Sequence, residues 1–439
     1  MNAVVIAVVL MLGLSLARMH VMLSMIIAAL VGGLVGGLNI QQTLDAFNNG
    51  IGGGAGIALS YAMLGVFAVA ISLSGLPQLL ADTLLKKIGK HSERGSSWLS
   101  QGLLAMLMIA AVCSQNLVPI HIAFIPILVP PLLMVMAKLK LDRRLIACVL
   151  TFGLITPYMF LPVGFGAIYL DKILLGQVAA AGLDVDGISV VHAMAIPALG
   201  MLAGLLIAAL VSYRKPRKYD LGLIEAAENT QHEYNAKSLW VAGIAIIGAF
   251  AIQLLTDSMV LGAMAGFLLF SATGVIRWNE SEGVILDGIK MMASIGFIMI
   301  AANGFSEVLK ATGDINTLVT GAADWLGNNK GLTSFLLLVV GLLLTMGIGS
   351  SFSTIPIIAA IYVPLCMQMG FSPLAIVALV GTAGALGDAG SPASDSTLGP
   401  TAGLNADGQH NHMRDTVIPT FLHFNLPLLA AGWLATMVL

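Results

Sequence analysis

Apolar runs of about 17 to 25 residues recur from one end of this chain to the other. That is the length an α-helix needs to cross a hydrocarbon core about 30 Å thick, and the alternating ten-residue segments of an outer-membrane barrel are absent. Only 10% of the 439 residues are charged and 58% are hydrophobic, too few polar side chains to cover a soluble globule. The expected fold is therefore all-α: a polytopic membrane protein whose solvent is the lipid bilayer. The opening MNAVVIAVVLMLGLSLARMH has no basic stretch ahead of its apolar run and no convincing small-residue cleavage site, so it reads as an uncleaved first helix. Cys113, Cys148 and Cys366 have neither the count nor the spacing of a disulfide framework or a zinc site.

Basic residues cluster at Lys86, Lys87, Lys90 and Arg94, at Lys138, Lys140, Arg143 and Arg144, and at Arg214, Lys215, Arg217 and Lys218. By the positive-inside rule all three clusters face the cytoplasm. Two crossings between each pair satisfy that assignment, although segments 98–118 and 119–137 also fit one re-entrant hairpin. Working outward gives about 11 to 14 membrane segments and an external N-terminus. The hydrophilic stretch 214–237 divides the chain into a first transmembrane half, 1–213, and a second, 238–439.

The halves resemble each other weakly. SQNLVP (Ser114–Pro119) answers SFSTIP (Ser351–Pro356), and RLIACVLTFGLITPYMFLP (Arg144–Pro162) answers LAIVALVGTAGALGDAGSP (Leu374–Pro392). The turn AKLKLDRR in the first half is basic, whereas its counterpart QMGFSP is uncharged. If charge reports side, the second turn faces outward and the two repeats are inverted.

Both proline-containing stretches are expected to break a helix at membrane depth, because proline removes a backbone donor and disfavours helix in the residue before it. Freed backbone groups in lipid must be met by protein, water or an ion. Ser114, Gln115 and Asn116, with Ser350, Ser351, Ser353 and Thr354, would offer oxygens of the kind sodium takes, and half-helix N-termini would face a carboxylate. Equally, these hydroxyls could bond their own helix carbonyls.

The stretch GDAGSPASDSTLGPTAG, 387–403, is the most heavily loaded. An aspartate at the centre of a membrane helix costs about 2.5–3.5 kcal/mol, so Asp388 and Asp395 should face the bundle interior or a water-filled cavity. Its glycines and prolines oppose an uninterrupted helix. An unwound segment with these carboxylates and Ser391, Ser394, Ser396 and Thr397 suits a cation, a titrating proton, or both in competition. A polar external loop is the alternative.

Other candidates are His121, just after the first break, and Asn303 with Glu307, four apart on one helix face; a Glu307–Lys310 pair at an interface is the plainer reading of the latter. His412 and Arg414 precede the last helix, where Arg414 would anchor the helix start or pair with a carboxylate. His410 and His412 do not share a helix face and have no third ligand at metal spacing, so no metal is expected.

GDAGSPASDST followed by NHMRDTVIP resembles the sodium/proton antiporter family of the NhaC type, in the wider ion-transporter superfamily. Gly387, Asp388, Ser391, Pro392, Ser394, Asp395, Ser396 and Thr397 fit its first motif; His412, Arg414 and Pro419 fit its second. Asn411 stands where the family often has aspartate and Asp415 where it has threonine, so the family's ion stoichiometry is not carried over. With SQNLVP and its His-rich element, the short chain looks closer to amino-acid permeases of the YuiF type, for which histidine uptake has been suggested. The resemblance implies two inverted repeats with broken or re-entrant helices meeting at the midplane, often in a dimer.

The expected function is a cation-coupled amino-acid permease of the bacterial inner membrane. Na⁺ or H⁺ would bind at Asp388, Ser391, Ser394, Asp395 and Thr397. A small zwitterionic or cationic substrate would sit among Ser114, Gln115, Asn116, His121, Asn303, Ser351, Ser353 and Thr354, with Glu307, His412 and Arg414 gating or pairing. The alternative is a Na⁺/H⁺ antiporter using the same carboxylates without an organic substrate. No cofactor beyond the transported ion and no nucleic-acid partner is expected. No TVGYG-like filter, H-E-x-x-H or Walker motif points to a channel, an intramembrane protease or an ATP-driven pump.

Overall fold

In lipid a backbone must satisfy its own hydrogen bonds, and among the described residues this chain does so entirely with helices, without a strand. The computed structural model describes residues 2–439 apart from 18, 77–78, 80–95, 118–120, 228–234, 257, 316, 318–320, 322–323, 325–328, 349–350 and 393; for some residues inside helices it describes the backbone alone. The basic cluster Lys86, Lys87, Lys90 and Arg94 lies outside the described residues. Among those described, 7 helices are long and apolar enough to cross a membrane, and shorter apolar helices such as Met22–Val35 and Met259–Ala272 accompany them.

The first half runs through α1 (Ala3–Leu16), α2 (Val21–Val35) and the 34-residue α3 (Ile40–Leu73). It continues with α4 (Ser96–Val112), α5 (His121–Leu128), α6 (Leu133–Lys138) and α7 (Arg143–Phe160). The pieces Phe165–Ala167, Ile168–Leu175 and Gly176–Ala180 follow as one rod, α8, and then α9 (Val190–Ile207). A short α10 (Leu221–Ala227) follows in the hydrophilic stretch. Helices α11 (Ala236–Thr256) and α12 (Met259–Ala272) lead into the 31-residue α13 (Ser281–Ala311). There follow α14 (Lys330–Ile348), α15 (Ser351–Gln368), α16 (Pro373–Ala385), a break, α17 (Asp395–Leu404) and α18 (His412–Val438).

Contacts between the halves come in reciprocal pairs. Helix α3 packs on α12 and α13 on α2, while α3 and α13 lie along each other. Likewise α5 packs on α17 and α15 on α8, and α9 meets α18. Glycines let the two long helices touch: a Cβ on Gly65 would collide with the Gly288 carbonyl, and one on Gly50 with that of Asn303. Large apolar side chains point outward, with Trp240 76% and Leu255 85% exposed, whereas Asp388, Asn425 and Thr382 are buried. That polarity is the reverse of a soluble protein's and suits a lipid surround.

One expectation needs correction. Pro356 does not break the helix: it lies inside α15 with Pro364, and the separate helix begins at Ser351. The backbone carbonyl of Pro356 accepts a hydrogen bond from the Ser306 hydroxyl of α13 at 3.3 Å. The hydrophilic stretch 214–237 carries α10, and Ile224 on that helix is buried.

Candidate ion site at the α16–α17 break

Every residue of α16 from Ala375 to Ala385 is buried, so the point where this helix ends lies inside the protein. Ser372 caps its start through the Ala375 amide, with Pro373 at the first turn, where its missing N–H costs nothing. Its end is set by Gly387, whose φ of 90° suits only glycine comfortably and where a Cβ would crowd the Leu342 carbonyl and the Met346 amide. The chain then turns through Asp388–Gly390, extends at Ser391, and restarts as α17 behind Ser394, whose hydroxyl accepts from the Ser396 amide.

Protein groups satisfy the exposed backbone of this break. The Gly387 amide donates to Asn425 Oδ1 at 3.1 Å, and Thr397 Oγ1 reaches the carbonyls of Ser391 at 2.6 Å and Ser394 at 2.9 Å. Ser391 donates to the Met346 carbonyl at 3.1 Å, and His412 Nε2 lies 2.9 Å from the Pro392 carbonyl. From Gly387 to Ser391 the break is thus a buried, partnered turn.

Asp388 is only 6% exposed. Tyr158, from α7 in the first half, donates to its Oδ2 at 2.5 Å; Ser351, at the start of α15, donates to the same oxygen at 3.0 Å. Ser394 donates to Oδ1. Tyr158 and Ser351 are also 3.0 Å apart, so two hydroxyl oxygens and one carboxylate oxygen form a triangle with three short edges. Two hydroxyl protons cannot fill three edges. The arrangement is one proton short whenever Asp388 is ionised, and either a proton or a cation could occupy the difference. Asp395 starts α17, partly exposed, and interacts electrostatically with Asp388.

Aromatic rings close over this cluster. Tyr158 sits edge-on to Tyr169 with centroids 4.9 Å apart and lies 5.4 Å from Phe352; Phe165 and Phe352 are 4.9 Å apart. Tyr61 of α3 meets Phe165 and Phe352 at 5.8 and 6.0 Å.

The remaining candidates are dispersed. Ser114 donates to the Ala111 carbonyl of its own helix at 3.0 Å. Gln115 is buried, and its Oε1 has no partner among the described residues. Asn116 clasps the loop after α7, donating to the Val163 carbonyl and accepting from the Gly166 amide. Thr354 is buried on α15; the side chains of Ser353 and His121, and the whole of Ser350, lie outside the described residues. Asn303 accepts from Gln177 at 3.1 Å, joining the halves, and Glu307 pairs with Lys310 at 3.0 Å. His412 Nδ1 meets Thr401 at 2.7 Å; Arg414 is exposed. The guanidinium on Asp415 belongs instead to Arg217, at 2.8 Å. Among the described residues no three or more His, Cys, Asp or Glu side chains come together as a metal-ligand cluster.

Two site residues escape the sequence reading. Tyr158 stands opposite Asp388 in the alignment of the halves, and the structure brings these matched positions into contact. Asn425 lies in a π-helical stretch of α18, Phe421–Asn425.

A second polar cluster ties the start of α7 to the end of α17. Arg143, fully buried, grips Asp407 with two bonds of 2.7 Å and the Leu404 carbonyl at 3.0 Å, and its guanidinium lies over the Tyr219 ring. Burial opposes the Asp407 charge, but the Arg143 hydrogen bonds and charge hold its carboxyl below the ordinary value. Nearby, burial pushes His410 down to about 4; its Nε2 meets Thr416 at 2.7 Å.

Proteins similar to this chain fit what the site implies. The model of the Na⁺/H⁺ antiporter family matches residues 149–433, and a second, of the Na⁺-H⁺ antiporter family, matches residues 2–88. An uncharacterized membrane protein of Vibrio parahaemolyticus is 58% identical over the full length of both chains. The "Putative amino acid transporter YuiF" of Bacillus subtilis is 51% identical, again over the whole of both. Among solved structures, the YdaH transporter of Alcanivorax borkumensis superposes with a TM-score of 0.57 at 16% identity, covering 90% of this chain and 87% of its own. MtrF of Neisseria gonorrhoeae, described with a class of antimetabolite efflux pumps, gives 0.59 at 17% identity, covering 91% and 85%. These two likenesses speak for a transporter fold alone. By its full-length relatives and its family match, this chain belongs to the Na⁺/H⁺ antiporter family and is a multi-pass membrane transporter.

Proposed function

We propose that this protein is a secondary active transporter coupled to Na⁺ or H⁺, most simply an amino-acid permease of the bacterial inner membrane. Asp388 and Asp395 act as its coupling-ion carboxylates. The observation that carries this reading is the placement of Asp388: buried, at a helix break, with hydroxyl donors from both halves and one proton too few for its contacts. Ion binding there can bias the relation of the halves, because the Tyr158–Asp388 bond joins them and an arriving cation or proton redistributes its protons. Ser391, Ser394 and Thr397 shape the turn that holds the ion.

The amino-acid part of the reading draws support from the named Bacillus subtilis relative. Of the polar residues around the two breaks, the buried, unpartnered Gln115 Oε1 suits the ammonium group of a zwitterion. Ser114, Asn116, His121, Asn303, Ser351, Ser353 and Thr354 form the wider substrate shell of this proposal, with Glu307, His412 and Arg414 at its edges. The reciprocal helix contacts and the uneven charge of the two turns support inverted repeats with the N-terminus outside.

The family match favours a second reading, Na⁺/H⁺ exchange with no organic substrate. Purified protein in proteoliposomes separates the two. Accumulation of an amino acid driven by a Na⁺ or H⁺ gradient supports the permease; Na⁺-dependent collapse of a pH gradient without such uptake supports the exchanger. Absence of both refutes secondary transport at this site.

A further inference from the structure

Tyr61 lies in the middle of α3 and is 2% exposed. Its ring is accounted for by Phe165 and Phe352, but its hydroxyl has no hydrogen-bond partner among the described residues. A buried hydroxyl without a partner forfeits about 1–3 kcal/mol, so a fold gains nothing from keeping it where phenylalanine would pack equally well. The groups closest to giving it a purpose are the carboxylates: the two rings that Tyr61 packs on, Phe165 and Phe352, both pack in turn on Tyr158, whose hydroxyl donates to Asp388. The other phenol of this cluster, Tyr158, is already bonded to Asp388 and Ser351.

We infer that the Tyr61 hydroxyl is a neutral oxygen ligand for an inorganic monovalent cation of sodium's size held between Asp388 and Asp395. The inference rests on the carboxylates being the ion site. It adds a residue from α3, an element to which neither the sequence motif nor the break contributes. Hard oxygen donors suit sodium, and a phenol oxygen keeps a lone pair for it. The bound ion would satisfy the hydroxyl, which no described protein group does.

Tyr61→Phe separates this role from a packing role, because it removes only the unpartnered hydroxyl. The probe is NaCl, titrated against choline chloride, with thermal unfolding of the purified full chain as readout. Wild-type protein should be stabilised by Na⁺. Tyr61→Phe should melt no lower than wild type without Na⁺ and need roughly tenfold or more Na⁺ for the same stabilisation, the scale of one interaction with a charge. An unchanged Na⁺ midpoint in Tyr61→Phe, or no stabilisation of wild type by Na⁺, overturns the inference. Stabilisation by methylammonium but not by Na⁺ overturns it too, assigning the position to a substrate amine. Asp388→Asn distinguishes the levels of failure: if it abolishes the Na⁺ response while Tyr61→Phe leaves it intact, only the Tyr61 role falls. If Asp388→Asn also leaves it intact, the carboxylate reading falls with it.

Discussion

Tyr158→Phe is the sharpest test of the hydroxyl triangle. It removes the donor 2.5 Å from Asp388 Oδ2 and 3.0 Å from Ser351 Oγ. The ring contacts with Tyr169 and Phe352, at 4.9 and 5.4 Å, are left in place. A hydrogen bond to a charged acceptor contributes about 1.5–3 kcal/mol and one to a neutral acceptor about 0.5–1.5 kcal/mol. The variant should therefore lose about 1–3 kcal/mol of stability, and its apparent dependence on the coupling ion should move by roughly 5- to 100-fold. Ser351→Ala should act in the same direction. Because both hydroxyls share Oδ2 and each other, the double variant should lose less than the sum of the two, with a coupling of roughly 0.5–3 kcal/mol. The assay is thermal unfolding of the four proteins of this cycle, paired with gradient-driven uptake in proteoliposomes. Additive losses together with a wild-type ion dependence in Tyr158→Phe would refute the claim that the three groups act as one unit.

Gly387→Ala combines a left-handed backbone, worth about 1–2 kcal/mol of strain, with a Cβ pressed on Leu342 and Met346 backbone atoms. It should lower thermal stability and abolish coupled uptake, and wild-type behaviour in both would count against the turn's role. Asp407→Ala strands the buried Arg143 and should cost roughly 3–5 kcal/mol, whereas replacing both partners with apolar residues should recover much of it in the same melts. His410 predicts a pH effect. Its folded-state value of about 4 lies below the ordinary 6.5, so its contribution is intact above pH 6.5 and falls away as pH drops toward 4. The loss reaches about 3 kcal/mol, and His410→Asn should flatten the decline in melting temperature between pH 6.5 and 4.5.

The membrane class and the buried turn at Asp388 were readable because lipid punishes polarity: Asp388 in an apolar chain demands a reason, and Gly387 beside it announces the turn that holds it. Its partners were not, because one tyrosine or asparagine in an apolar helix carries no comparable penalty. Tyr158 and Asn425 become site residues only through tertiary contact. Arg143 illustrates the same limit, since a loop charge that helps set topology lies fully buried against Asp407. Pro356 misled for a local reason: proline removes one backbone donor near the start of α15 without ending the helix it sits in. Glu307, by contrast, pairs with Lys310 as its spacing suggests.

The central claim is that Asp388 couples ion movement to transport. Asp388→Asn retains the shape of the side chain and an oxygen for the Tyr158 and Ser351 hydroxyls, while the Ser394 hydroxyl must turn to accept from the new amide, so the protein should still insert and fold, with a lower melting temperature. In proteoliposomes carrying an imposed Na⁺ or H⁺ gradient, the variant should show no gradient-driven flux of any solute that wild type accumulates or exchanges. Wild-type flux in Asp388→Asn, with the same ion dependence, would contradict the account.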